Sequence, residues 1–206
     1  MPFLFPENEC NQSKIPMKKI FLYFFSSLFF LNSFAQNTIS CLIKTSLGDL
    51  QIEIYPEKAP LTVANFLKYV DQKLYDGTNF FRVCTPENEK DRKIKIEVIQ
   101  GGEVAENKQF KPIPIETTSQ TGLLHQNGTL SMARDQPNSA TSSFFICIGN
   151  QPELDFAGKR NPDGQGFAAF GKVIKGMQVV RKIQAQKEKG QYLIDPVTIE
   201  SIRRLH

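Results

Sequence analysis

The chain has 206 residues, enough for one domain with a substantial hydrophobic core, and its formal charge is +4. Without residues 1–35, which hold three Lys and two Glu, the charge is +3. A charge so small and evenly spread excludes the basic face typical of nucleic-acid binding, and we predict no nucleic-acid partner. Two His and no Cys-x-x-Cys pair likewise predict no zinc, haem or other metal site.

Residues 1–35 have the pattern of a secretory signal. The basic pair Lys18-Lys19 precedes an apolar run, and the small residues Ser33 and Ala35 stand at the −3 and −1 positions of a cleavage site. We therefore predict cleavage after Ala35 and a periplasmic or secreted mature protein with one domain over 36–206.

A membrane anchor is the other interpretation of this segment. The apolar run 20–31 is shorter than the ~20 residues that a helical span needs, so we expect no stable span after cleavage. Met17 directly precedes the basic pair and is the expected true start, which makes 1–16 an upstream extension.

Beyond the signal segment, the sequence predicts many short strands and two helices. The predicted strands span 39–45, 50–55, 78–83, 94–100, 129–133, 144–148, 167–173 and 197–202. Apolar residues at helical spacing predict helices over 59–73 and 176–185. This series predicts a mainly β domain, a closed or nearly closed antiparallel barrel.

The stretch from Gly128 to Gly149 is the most informative part of the sequence for function. Two apolar strands are joined there by a ten-residue polar loop, 134–143, rich in turn-forming residues. No His or Lys stands near its serines, and Asp135 is its single carboxylate, so nothing in it suits covalent chemistry. A polar loop of this length between buried strands indicates the wall of a binding groove.

Three cysteines follow the predicted signal. Cys147 lies within an apolar strand and is expected to be an inert core thiol. Export permits disulfides, and a Cys41–Cys84 bond is left open because the spacing neither supports nor excludes it.

Four blocks of residues, in this order, carry a family resemblance. They are Phe80-Phe81-Arg82-Val83, Val98-Ile99-Gln100-Gly101-Gly102, Gly128 to Arg134 running on to Ser142-Ser143-Phe144-Phe145-Ile146, and Phe170-Gly171-Lys172-Val173 followed by Gly176-Met177. From about Thr38 to the C-terminus the chain resembles a cyclophilin-type peptidyl-prolyl cis-trans isomerase, in a version similar to bacterial members. The resemblance implies a closed eight-stranded antiparallel barrel capped by two α-helices.

The same resemblance implies an activity and a catalytic residue. The enzyme would isomerise Xaa–Pro bonds in extended or unfolded segments and assist the folding of exported proteins, as a monomer without a cofactor. Rotation breaks amide resonance over a barrier of roughly 18–20 kcal/mol, and the twisted proline nitrogen regains a lone pair. A fixed donor to that nitrogen stabilises the transition state selectively, by ~3–4 kcal/mol. The resemblance puts Arg82 in this role.

The remaining site residues are also implied by the resemblance and would bind substrate. Val98, Phe145, Leu154 and Phe167 are expected to form an apolar pocket for the proline ring. The amide of Gln100 is expected to hold the peptide carbonyl. The backbone of Ala133 and Arg134 is expected to bind the extended peptide.

Several positions depart from the family pattern. Glu97 stands where an aromatic pocket residue is usual, unless the strand is offset so that Ile96 points inward. Ser143 replaces a Gln that contacts substrate, Glu153 stands where good cyclosporin binders have a Trp, and the charged loop 85–93 lengthens the chain. Because Glu153 stands in place of that Trp, we expect weak inhibition by cyclosporin.

Two alternatives to an enzyme remain. A non-catalytic proline-peptide-binding or chaperone module on the same fold is favoured by Glu97 and Ser143 and opposed by Arg82. A barrel that carries a small apolar ligand would need an open interior, which the many large Phe side chains would fill.

Overall fold

The computed structural model describes Met1 and residues 37–205. The predicted signal, its cleavage site and the predicted start at Met17 therefore lie outside the described residues.

Within the described range the chain forms nine strands and three α-helices. The strands are β1 (Ile39–Thr45), β2 (Gly48–Ile54), β3 (Asn79–Cys84), β4 (Val98–Gly101), β5 (Thr129–Met132), β6 (Phe144–Cys147), β7 (Ala168–Lys175), β8 (Glu188–Lys189) and β9 (Tyr192–Arg204). The α-helices are α1 (Pro60–Asp71), α2 (Thr118–Thr121) and α3 (Met177–Gln184), and 3₁₀ turns stand at Glu106–Lys108 and Pro152–Leu154.

Eight of the strands close into an antiparallel barrel. Their order is β1, β2, β7, β5, β6, β4, β3, β9, and β9 pairs back with β1 to complete the ring. The two-residue β8 pairs with β9 and stands outside the ring. Closure gives each of the eight strands a neighbour on both sides, which removes exposed sheet edges. The predicted eight-stranded antiparallel barrel is confirmed.

Aromatic side chains fill the interior of the barrel. Phe144 is wholly buried and meets the rings of Phe66, Tyr75 and Phe80 edge to face, with centroids 5.6–5.9 Å apart. Edge-to-face pairs at these distances are favourable packing geometries. Because the interior is so densely filled, the alternative of a barrel that carries a small apolar ligand is disfavoured.

Strand β6 shows how the chain separates two hydrophobic clusters. Phe144 and Ile146 belong to the main core, whereas Phe145 and Cys147 belong to a second, smaller cluster. Because side chains alternate along a strand, the first pair points into the barrel and the second pair points out of it. The second cluster therefore lies on the outer face of the sheet.

The two longer helices were predicted, but α2 was not. Helix α1 begins at Pro60 and α3 directly after Gly176, each close to its predicted start. The short α2 has a capping box, because Thr117 and Gln120 bond each other's backbone N–H groups, and it ends at Gly122 in a left-handed conformation. The sequence pattern Thr-x-x-Gln followed by Gly is a local indication of this short helix.

The prediction of a strand over 94–100 was wrong in its first half, since β4 starts only at Val98. Side chains bind the backbone that would have formed the ladder. Glu89 accepts the N–H of Ile96 at 2.9 Å, and Arg160 donates to the carbonyl of Ile94 at 2.7 Å.

The three described cysteines are free and buried. Cys41 packs in the main core and Cys84 in the second cluster, so the Cys41–Cys84 bond left open by the sequence does not form. Burial raises the pKa of both thiols to about 11 and raises that of Cys147 further. All three thiols are therefore protonated and unreactive at neutral pH.

No helix in the described part of the chain has both the length and the apolar character needed to cross a membrane. Among the residues that the structure describes, no group of three or more His, Cys, Asp and Glu side chains could hold a metal ion.

Candidate active site

A β-bulge in β3 turns Arg82 to the outer face of the barrel. The pairing of β3 with β4 leaves Phe81 as an extra residue, so Arg82 stands opposite Gln100. Phe80 and Val83 consequently both pack in the main core although they lie three positions apart. A regular strand would have sent one of them outward, so the bulge aims Arg82 at the site.

Two amide side chains hold the guanidinium group of Arg82. Its Nη1 donates to Oε1 of Gln100 at 2.9 Å, and its Nε and Nη2 donate to Oε1 of Gln191 at 3.0 and 2.6 Å. A guanidinium has five N–H groups. One N–H on Nη1 and one on Nη2 therefore remain without a partner among the described residues. Arg82 is thus fixed in place with donors to spare.

An apolar pocket lies beside Arg82 on the same face. The second hydrophobic cluster forms it; its members are Cys84, Ile96, Val98, Phe145, Cys147 and Leu154, with Ala133 and Phe167 packed against them. Phe145 and Phe167 meet edge to face with centroids 5.3 Å apart. The pocket offers a dry apolar surface next to a cationic donor.

All eight residues predicted for the site line a single cleft of about 610 Å³. They are Arg82, Val98, Gln100, Ala133, Arg134, Phe145, Leu154 and Phe167. The register explains part of this, because Arg82, Gln100 and Phe145 are direct cross-strand neighbours on β3, β4 and β6.

Ile96, not Glu97, faces this cleft. Ile96 is buried and lines the cleft, whereas Glu97 is half-buried and has Nε2 of Gln184 at 3.5 Å. Of the two strand positions that the sequence left open, the structure has the one in which Ile96 points into the pocket. The pocket therefore stays apolar.

Ser143 supports Gln100 within the cleft. Nε2 of Gln100 donates to Oγ of Ser143 at 3.2 Å, and Ser143 donates to the carbonyl of Gly101 at 3.3 Å. With its nitrogen toward Ser143, Gln100 turns its oxygen toward Arg82. Ser143 thus helps to orient the amide that holds the guanidinium group.

Arg134 packs over the pocket and is bound at its far end. Its Nη1 and Nη2 donate to the carboxylate of Asp163 at 2.8 and 2.9 Å, and its guanidinium lies 5.3 Å from the centre of the Phe167 ring. These hydrogen bonds lower the pKa of Asp163. The backbone N–H and C=O of Arg134 have no partner in the described part of the chain, so they are open to an extended peptide.

A Ser–His–Asp arrangement lies behind the pocket and was missed in the sequence. His125 has Asp155 at 2.7 Å from Nδ1 and Ser131 at 2.9 Å from Nε2, and its ring stacks on Phe145 with centroids 5.9 Å apart. Ser131 is wholly buried and so cannot act as a nucleophile on a substrate. The arrangement holds Phe145 in place from behind.

Gln191, Glu89 and Arg160 also belong to the surroundings of Arg82 and were missed. Gln191 lies 109 residues from Arg82 along the chain, and Glu89 lies 71 residues from Arg160. No local pattern marks residues so far apart. Glu153, by contrast, is half-buried, and its carboxylate accepts the N–H of Lys159 at 2.8 Å. The expected weak inhibition by cyclosporin stays a prediction.

Comparisons with known proteins agree with this fold. The model of the family "cyclophilin type peptidyl-prolyl cis-trans isomerase/CLD" matches residues 40–204. A peptidyl-prolyl cis-trans isomerase of Acinetobacter baylyi is 43% identical over 144 residues, 68% of this chain and 69% of the relative. Peptidyl-prolyl cis-trans isomerase A of Dickeya dadantii is 37% identical over 183 residues, 84% of this chain and 89% of the relative.

The barrel also resembles solved structures. The crystal structure of a cyclophilin type peptidyl-prolyl cis-trans isomerase of Cryptosporidium parvum gives a TM-score of 0.65 over 82% of this chain and 99% of its own, at 23% identity. Fold and matches together define the class of protein as a peptidyl-prolyl cis-trans isomerase. The chain belongs to the cyclophilin-type family of these enzymes.

Proposed function

We propose that this chain isomerises Xaa–Pro bonds with Arg82 as its catalytic residue. The observation that carries the proposal is the guanidinium group of Arg82, held by Gln100 and Gln191 at the edge of an apolar pocket with two N–H groups unpaired among the described residues. A donor fixed in this way bonds the proline nitrogen only when rotation has freed its lone pair. It therefore stabilises the twisted amide more than the planar one.

Other groups of the cleft would bind the substrate on either side of that nitrogen. The proline ring would lie on Phe145, against the apolar side chains of Val98 and Leu154. The second N–H on Nε2 of Gln100 would donate to the peptide carbonyl, since the first is bound to Ser143. The backbone around Arg134 would pair with the extended peptide.

Replacing Arg82 by Ala tests the catalytic role. We expect a folded protein whose kcat/KM for a proline peptide, measured by exchange NMR, falls about 100- to 1000-fold, as for the loss of one preorganised donor. Arg181→Ala is the matched control, because Arg181 is exposed on α3, outside the cleft.

Two outcomes would contradict the proposal. Equal exchange with wild type and Arg82→Ala would remove the role of Arg82. No exchange with either protein, but retained peptide binding, would favour the non-catalytic binding module. Two observations weaken that alternative. Ile96, not Glu97, is buried in the pocket, so the pocket stays apolar. Ser143 accepts a hydrogen bond from Gln100, the residue that holds the guanidinium group of Arg82.

We further propose that the protein is a bacterial exported monomer that acts on extended or unfolded segments of exported proteins. The support is the signal pattern at 18–35 and the opening of the cleft to an extended chain. A mature protein whose mass corresponds to a start at Gln36 is expected in the exported fraction. An uncleaved chain found in the cytoplasm would contradict this localisation.

A further inference from the structure

The hydrogen bonds around Arg82 continue beyond Gln191 to a buried carboxylate. Nε2 of Gln191 donates to Oε1 of Glu89 at 3.1 Å, and Nη2 of Arg160 donates to the same oxygen at 2.5 Å. The other oxygen of Glu89 accepts from Nη1 of Arg160 at 2.8 Å and from the N–H of Ile96 at 2.9 Å. One amide side chain therefore joins Glu89 to Arg82.

Glu89 is buried although it belongs to the charged loop 85–93. The exposed fraction of its side chain is 0%. Burial by itself would raise the pKa of Glu89, but hydrogen bonds from Arg160, Ile96 and Gln191 outweigh it and hold the pKa below its usual range. Glu89 is thus an anion at neutral pH, compensated by well-directed donors.

The charge of Glu89 determines the orientation of the Gln191 amide. An ionised carboxylate only accepts hydrogen bonds, and a guanidinium group only donates them. Between Glu89 and Arg82, the amide must turn its nitrogen to the carboxylate and its oxygen to the guanidinium group. The reversed amide would lose all three of the hydrogen bonds that link it to the two charged groups.

The backbone of Gln191 is strained where it presents this side chain. Gly190 and Gln191 form the turn between β8 and β9, with φ of 60° and 77°. Gly adopts positive φ freely, whereas a Gln residue rarely does. Strain of this kind concentrates at functional sites, where the surrounding contacts enforce it.

We propose that Glu89 and Gln191 are positioning residues for the active site. Glu89 orients the amide of Gln191, and Gln191 holds the guanidinium group of Arg82 in the plane from which it reaches the substrate. The inference rests on the proposed catalytic role of Arg82. The charged loop 85–93 then contributes to catalysis through the carboxylate of Glu89.

Glu89→Gln tests the first link. Its side chain has the same shape but lacks the charge that fixes the Gln191 amide, so kcat should fall ~10-fold, a typical effect of losing a supporting partner, while KM changes little. The Nε–H NMR resonance of Arg82, identified by its loss in Arg82→Lys, should shift or broaden. Glu87→Gln is the control: Glu87 is exposed in the same loop, and kcat and the resonance should stay at wild-type values.

Gln191→Gly tests the second link and separates positioning from folding. Glycine relieves the positive φ but removes the amide, so the unfolding temperature should be unchanged or higher while kcat falls at least as far as in Glu89→Gln. The double variant should be no slower than Gln191→Gly, because the two residues act in series.

The outcomes distinguish this inference from the proposed function. If Arg82→Ala is inactive but Glu89→Gln and Gln191→Gly keep wild-type kcat, the positioning role is wrong and the function stands. A loss of kcat in Gln191→Gly that only follows a loss of stability would also overturn it. If Arg82→Ala is fully active, the proposed catalytic role of Arg82 fails, and the positioning role fails with it.

Discussion

Gly166 shows how a single residue shapes the apolar pocket. Its φ is 65°, and a Cβ atom there would lie 2.5 Å from backbone atoms of Leu154 and Asp155. The N–H of Phe167 donates to the carbonyl of Leu154 at 3.0 Å, and both residues line the cleft. The missing side chain at position 166 thus lets the loop close and brings Phe167 onto Phe145.

Gly166→Ala should therefore lower both stability and activity. The clash with backbone must move the loop, and misplacing Phe167 by about 1 Å could lower kcat/KM by up to ~100-fold. Gly164→Ala is the control, because its φ is 66° but nothing lies within 4 Å of its Cβ. It should cost ~1 kcal/mol in unfolding free energy at wild-type kcat/KM. Equal kcat/KM in the two variants would show that the close contact of Gly166 with the backbone of Leu154 and Asp155 does not shape the pocket.

At the level of elements, a distant carboxylate caps helix α1. The carboxylate of Glu116 accepts from the N–H groups of Leu61 and Thr62 at 3.1 and 2.8 Å and from the hydroxyl of Thr62 at 2.7 Å. The first N–H groups of a helix lack partners within it, and a negative charge there is favourable. Glu116 therefore ties the segment before α2 to the start of α1.

Glu116→Ala should destabilise the fold by ~1 kcal/mol, the usual cost of losing an N-terminal cap. Urea unfolding would measure this. Glu57→Ala provides the comparison, since Glu57 is exposed just before α1 and makes no side-chain hydrogen bond with described residues. Both variants should keep wild-type kcat/KM because α1 lies outside the cleft; similar stability of the two would rule out the capping role.

At the level of the whole molecule, ion pairs and buried thiols set the dependence of stability on pH. Hydrogen bonds from Arg203 lower the pKa of Asp76, bonds from Arg134 lower that of Asp163, and the pKa of Glu89 is lowered as well. A carboxyl group whose pKa is lowered by folding stabilises the fold above its unfolded pKa, and this contribution is lost as the pH falls through the folded pKa.

The unfolding free energy should therefore be highest between about pH 5 and 8 and fall on both sides. On the acid side it falls below about pH 4, where these carboxylates take up protons. On the alkaline side, burial raises the pKa of Cys41 and Cys84 from 9.0 to about 11, so the unfolded chain ionises first and stability declines as the pH rises through this range. Urea unfolding across pH 3 to 11 checks this; stability that rises from pH 6 to pH 3 would contradict it.

The amino-acid pattern alone predicted the order of the long elements and a closed or nearly closed barrel, and the family resemblance implied the eight residues that line the cleft. Periodicity and short motifs report on neighbours along the chain, and strands that alternate or helices with an apolar stripe are such local patterns. The small α2 was also within reach of the sequence, because its capping box and final glycine are local signals.

How Arg82 is held and oriented could not be predicted from local sequence patterns. The bulge at Phe81 depends on the register of β3 against β4, and Ile96 faces the cleft because Glu89 captures its N–H. Gln191 accepts hydrogen bonds from Arg82, 109 positions away along the chain, and donates one to Glu89, 102 positions away. Hydrogen bonds between such distant side chains form only when closure of the barrel brings β3, β9 and the charged loop together, and no local pattern encodes that distance.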